Sequence, residues 1–206
     1  MPKISDAKRD ARRRQILDAA LACFSEAGFH QTGMADIVRR SGLSHGAVYL
    51  YFSSKDDIIE ALAVDRHRSE AALNATALTN ADPMDALRAL ARSYALNLVD
   101  PAGEARRRVG VNGWAEALRN DRVRSAVLEG AEAARSALGP LIKRLAPDVD
   151  SDAVARLLVA MFQGMTLQAV WGEPIDVEAA LAALDCMLIG LVRTKVAAGT
   201  AAKTRT

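Results

Sequence analysis

The stretch from Thr32 to Lys55, TGMADIVRRSGLSHGAVYLYFSSK, sets hydroxyls, an imidazole, phenols and an ammonium among small apolar side chains. Groups of these types, closely spaced on a short helix, can hydrogen-bond phosphate and touch base edges. Gly46 and Ala47 leave little bulk over the first turn of a helix starting at His45. Its free amides could then be pressed against a phosphate or into the major groove of DNA. Ser44, His45, Ala47, Leu50 and Tyr51 are expected to face outward or graze the rim, while Tyr49 and Lys55 flank the helix and are expected to hold phosphates.

The elements that must position these groups are legible nearby. Ile37 and Val38 give an apolar face to a short helix that Ser41 ends, and Gly42 supplies the left-handed position where a Cβ would clash. Leu43 can plug the corner, and Ser44 is a good N-cap for the next helix. Val48 and Phe52, four residues apart, can pack inward against Ile37. Two short helices joined by a tight turn, with polar groups on the outside of the second, read as a DNA-binding helix-turn-helix.

The run from Ile16 through Ala61 resembles the N-terminal domain of TetR-family regulators. The matching positions are Phe24, Gly28, Phe29, Thr32, Ile37, Gly42, Ser44, Gly46, Tyr49, Tyr51, Phe52 and Lys55. Gly33 departs from the family's usual hydroxyl residue, leaving a backbone amide to serve there. Leu50 stands where a bulky polar or aromatic residue is common, which suggests an apolar contact such as a thymine methyl. Carried over residue by residue, the resemblance implies a DNA-contacting set of Thr32, Gly33, Met34, Ser44, His45, Gly46, Ala47, Tyr49, Leu50, Tyr51 and Lys55.

The resemblance also implies a homodimer on a palindromic operator in double-stranded DNA, with a small-molecule effector enclosed by the middle helices. Trp114, Ala117 and Arg119 resemble the middle helix of the choline-operon repressor branch. Tyr94, Asn112, Trp114, Phe162, Gln163 and Met165 are the pocket candidates, each weighed against an ordinary core role. A repressor is expected. An architectural DNA-binding protein without effector is the alternative, and a helical-bundle enzyme a remoter one.

Composition sets the frame for these readings. Half of the 206 residues are apolar and only 4% are aromatic, which favours helix over sheet and predicts an all-α fold of about nine helices. Division is expected into a DNA-binding domain at 1–53, an effector-binding and dimerisation domain at 54–197, and a disordered tail at 198–206. Lys3, Lys8, Arg9, Arg12, Arg13 and Arg14 form a basic arm that suits phosphate, although a solvated terminus has the same composition.

Apolar residues at three- and four-residue spacing predict a helix over 10–27 ended by Gly28, a strut helix over 54–79, and a helix opened by Asp82 and Pro83. Further helices are predicted over 105–119 and 121–145, the latter kinked at Gly139-Pro140. Arg106 to Arg108 read most simply as a solvated face. A two-sided apolar helix from Ser151 to Trp171 and a last one over 177–196 form a hairpin with spare apolar surface. Leu158, Met161, Leu181, Leu184, Leu188 and Leu191 are the expected dimer contacts.

No metal or cofactor is expected. His30, His45 and His67 all lie outside the C-terminal helices, none follows a Glu-x-x spacing, and no GxSxG, Walker or Cys-x-x-Cys pattern occurs. Cys23 and Cys186 are expected to be buried thiols without a disulfide framework. The charged start and the Asp185 break in the run 180–192 predict a soluble, cytoplasmic protein with no membrane contact.

Overall fold

The computed structural model describes the backbone of residues 6–78 and 81–203 and the side chains of 6–66 and 81–192. Among the described residues the regular structure is wholly helical, nine α-helices and one 3-10 turn at Pro101–Gly103, in agreement with the all-α expectation. The chain divides into two compact units, Met1–Arg68 with Glu104–Leu128, and Ser69–Gly103 with Glu129–Thr206.

The first unit holds α1 (Asp6–Gln31), α2 (Met34–Ser41), α3 (His45–Tyr49), the first part of α4 (Lys55–Leu78), α6 (Glu104–Glu116) and the start of α7 (Asp121–Leu145). Of the stripe expected on α1, Ile16, Ala19, Ala20, Cys23 and Phe24 are buried, while Ala27 is exposed. Gly28 breaks α1 with φ 75°, so Phe29 turns back and meets Phe24 edge-on at 4.8 Å. Ile37, Val48, Phe52, Ile58 and Val109 complete this core. Each such side chain contributes about 1.5–3 kcal/mol when removed from water.

The second unit holds α5 (Pro83–Val99), α8 (Ser151–Trp171), α9 (Val177–Lys203) and the remainder of α7. Asp82 caps α5 by accepting from Met84 N at 2.7 Å and Asp85 N at 3.1 Å, with Pro83 at the first helical position. Leu87, Leu90, Leu138, Ile142, Leu158 and Leu188 build its core. On the surface Arg88 grips Asp185 with two bonds of 2.6 and 3.0 Å, and Arg92 meets Glu178 at 3.1 Å, tying α5 to α9. Arg88 holds the Asp185 carboxyl below its ordinary range.

Several expectations are corrected. The first unit takes in α6 and the start of α7, which the division at 53/54 assigned elsewhere, because Val109, Ala117 and Val123 pack into its core. The helix predicted over 105–119 ends at Glu116, and Leu118 is exposed in the turn that follows. Pro140 lies inside α7 at the place where a kink is expected, and the helix runs on through it. The alanine-rich end of α9 is helical to Lys203, and 204–206 lie outside the described residues. Cys23 is buried as expected, but Cys186 is exposed on α9.

Candidate functional site

Helix α3 is placed from its inner side. Gly42 ends α2 in the left-handed region with φ 67°, and the chain turns at once. Ser44 then caps α3, its Oγ accepting from Ala47 N at 3.3 Å, a contact of about 1 kcal/mol. Ile37 and Val48 are wholly buried and Phe52 nearly so. With that side anchored, Ser44, His45, Gly46, Tyr49 and Leu50 stand exposed, Leu50 at 76%. Ala47 and Met34 are half-buried, and Tyr51 packs partly against the core rather than facing out. His45 and Tyr49, one turn apart, stack with ring centroids 4.3 Å apart and planes 26° from parallel.

Three of the expected DNA contacts are engaged within the protein. Thr32 is 2% exposed, and its hydroxyl donates to the carbonyl oxygens of Gly28 at 2.8 Å and Cys23 at 3.3 Å, closing the end of α1. The Gly33 amide, expected to serve in place of a hydroxyl, donates to Asp36 Oδ2 at 2.9 Å. That amide, with Arg39 at 2.6 Å, lowers the Asp36 pKa. Lys55 Nζ donates to the carbonyls of Phe29 at 2.5 Å and Thr32 at 3.2 Å. The carbonyls at the end of a helix attract a cation, a pull the sequence pattern alone did not disclose.

A second carboxylate braces the segment behind α3. Asp57 accepts from Ser53 N and Ser54 N at 3.1 Å and from Ser53 Oγ at 2.5 Å, while its own amide donates to Ser54 Oγ at 3.1 Å. The reciprocal bonds between Ser54 and Asp57 form a capping box at the start of α4. Arg122 of α7 also bonds Asp57 at 2.9 Å and Glu60 beside it. These bonds, those from Ser53 first, lower the Asp57 pKa to about 2. The pairing of Arg122 with α4 had no sequence signal, since 65 residues separate it from Asp57.

Of the basic arm, Lys3 lies outside the described residues, and Lys8, Arg9, Arg12 and Arg14 are exposed on α1. Arg13 lies 5.6 Å over the Phe52 ring and 3.6 Å from Asp65.

The pocket candidates separate between the units. Tyr94 and Phe162 meet in the second, with ring centroids 4.6 Å apart, and the Tyr94 hydroxyl donates to the Phe162 carbonyl at 3.1 Å. Thr166, buried and one turn beyond Phe162, joins Tyr94 at 2.5 Å and was not anticipated. Gln163 and Met165 are half-buried on α8, whereas Asn112 and Trp114 lie half-buried on α6 in the first unit. The void among Leu87, Leu90, Leu138, Phe162 and Leu188 measures about 10 Å³. That is roughly the space of one water.

The expected dimer contacts differ in burial. Leu158, Leu184 and Leu188 are buried within one chain, and Met161, Leu181 and Leu191 pack against the same core. Among the described residues, the large apolar side chains that α8 and α9 leave outside are Leu157 at 70%, Trp171 at 67% and Met187 at 55%. Leu157 and Met187 stand one position before Leu158 and Leu188, a rotation of about 100° around the helix.

Residues 16–62 match the family described as bacterial regulatory proteins, tetR family, and residues 83–193 match the BetI-type transcriptional repressor C-terminal domain. The HTH-type transcriptional regulator BetI of Burkholderia mallei is 31% identical over 184 residues, covering 88% of this chain and 92% of that protein. Among solved structures, Salmonella enterica GusR superposes with TM-score 0.75 at 25% identity, over 93% of this chain and 100% of that one. A transcriptional regulator structure from Pseudomonas aeruginosa gives TM-score 0.78 at 18% identity over 90% and 94%, a likeness of fold.

Proposed function

This chain belongs to the TetR family of bacterial regulatory proteins, with a BetI-type C-terminal half, and we propose that it is a ligand-responsive repressor acting as a homodimer on a palindromic operator. Its family and relatives are transcriptional regulators rather than enzymes. The observation that carries the proposal is the anchoring of α3 by Val48 and Phe52, which holds Leu50, Gly46 and the His45–Tyr49 stack outward on a fixed short helix. Chromosomal DNA as partner makes the cytoplasm its place of action.

Ser44, His45, Gly46, Ala47, Tyr49 and Leu50 approach the groove. Met34 opens α2, whose first amides lack intrahelical acceptors and suit a phosphate. Two of the three Lys55 N–H groups serve protein carbonyls, leaving the third for phosphate. Thr32 and Gly33 act through the fold, and Tyr51 only through its exposed edge.

Dimerisation is assigned to the outer faces of α8 and α9. Ala153, Leu157, Ala160, Gly164 and Trp171 recur on α8 at helical spacing and are all exposed, as are Ala183, Met187 and Gly190 on α9. Rows of small side chains let two helices approach closely around larger ones, and a twofold axis makes such a face complementary to itself. Met161, Leu181 and Leu191, half-buried, contribute their outer edges.

The effector is assigned to the Tyr94, Phe162 and Thr166 cluster, with Gln163 and Met165 nearby. With so small a void, an effector must part Phe162 from the leucines around it. The cost of parting them is what lets ligand affinity differ between two conformations, on the order of 1–3 kcal/mol of coupling.

The test places a DNA site selected by the protein upstream of a reporter, with and without the chain. Repression relieved by a small molecule that binds the purified protein is the expected result. Activation, or DNA binding that tolerates any sequence, would overturn the proposal and favour an architectural role.

A further inference from the structure

From Ser44 to Phe52 the chain has no arginine, lysine, asparagine, glutamine or carboxylate. Those side chains make the bidentate contacts that distinguish guanine and adenine in the major groove, so α3 has no means of forming one. Nor do nearby cations supply the lack. Lys55 is bonded to Phe29 and Thr32, Arg39 to Asp36, and Arg40 to Glu26 through bonds of 2.5 and 2.6 Å.

Leu50 fills the centre of the face instead. It stands two residues from each of buried Val48 and Phe52, about 200° around a helix from either. Its backbone is still helical, with φ −67° and ψ −27°. One turn earlier is Gly46, with no atom within 4 Å of where a Cβ would be, so nothing screens Leu50 on that side. At the edge His45 is fixed in plane by its stack on Tyr49. A neutral imidazole there offers one N–H donor.

Resting on the DNA-binding proposal, we propose that each operator half-site is read by contact of Leu50 with the 5-methyl group of thymine and by one hydrogen bond from His45 to a purine N7. No base is held by two bonds. Because N7 is common to guanine and adenine, the half-site at His45 specifies a purine and not which one, while thymine is required at Leu50.

The test uses the full-length protein and a duplex chosen by selection from random DNA. Thymines are replaced singly by uracil, and purines singly by their 7-deaza analogues. Wild type should bind roughly three- to fivefold more weakly when one thymine methyl is removed. A similar loss should follow removal of one purine N7. Leu50→Ala should lose the first sensitivity only, and His45→Ala the second only. A selected duplex that tolerates uracil at every position, or a Leu50→Ala protein as sensitive as wild type, would overturn the inference and leave the regulator proposal standing. Equal tolerance of every 7-deaza purine would do the same for His45. Failure of selection to recover any common sequence would overturn both.

Discussion

Helix α3 and the pair α8 and α9 both leave apolar side chains in water, but in different patterns. On α3 a single leucine stands at 76% exposure among an imidazole, a phenol and a glycine. On α8 the row runs from Ala153 through Leu157, Ala160 and Gly164 to Trp171, nearly the whole helix. An isolated apolar group in polar company suits a surface that is itself mostly polar, such as a DNA groove. A continuous row of small residues punctuated by large ones suits another helix. Exposure alone therefore does not name a partner; its spacing and neighbours do.

The largest expected effect separates the inner and outer sides of α8 and α9. Leu188→Asp puts an unpaired charge in a core position that is 1% exposed, at a cost on the order of 4 kcal/mol, and the second unit should unfold in a thermal melt. Leu157→Asp with Met187→Asp should instead give a folded helical monomer by circular dichroism and sedimentation. If the double variant remained a dimer, the row on α8 would need a different partner.

That pair of substitutions also marks where sequence reasoning stops. Gly42, Ser44, and Asp82 with Pro83 were legible because each acts within four residues, through a backbone angle or a cap. Leu157 and Leu158 were not, because both are apolar and only the packing of α5 and α7 decides which turns inward. The family resemblance puts Thr32 among the DNA contacts, and the charge of Lys55 beside the helix suggests a phosphate contact. Their main partners are carbonyls of Cys23, Gly28, Phe29 and Thr32, fixed by the break at Gly28. Cys186 belongs with Leu157: its exposure follows from the phase of α9.

A smaller effect probes the reading side. Lys55→Met removes a charged donor from two carbonyls and should lower the stability of the first unit by about 1.5–3 kcal/mol in urea melts. The dependence of DNA affinity on salt should fall by about one unit of slope as well, if its third N–H meets a phosphate. An unchanged slope would confine Lys55 to the fold.

The smallest effect is one of pH. Asp57 is held at about 2, below its ordinary 3.8, so the folded state holds its proton less tightly than the unfolded one. Its stabilisation is complete above about pH 4 and is lost as pH falls toward 2. Arg122 is half exposed, so the contribution is about 1 kcal/mol. Urea midpoints followed from pH 5 to 2 should flatten in Asp57→Asn relative to wild type. A parallel decline in both would place the acid sensitivity elsewhere.

The central claim is that one chain reads DNA through the outside of α3 and pairs with its copy through the outside of α8 and α9. Sedimentation of a labelled duplex carrying the selected site, titrated with protein, tests both halves at once. The account predicts a palindromic site bound by two chains, with the Leu157→Asp, Met187→Asp protein unable to form that complex at the same concentration. A non-palindromic site bound by a single chain, with the double variant binding equally well, would contradict it.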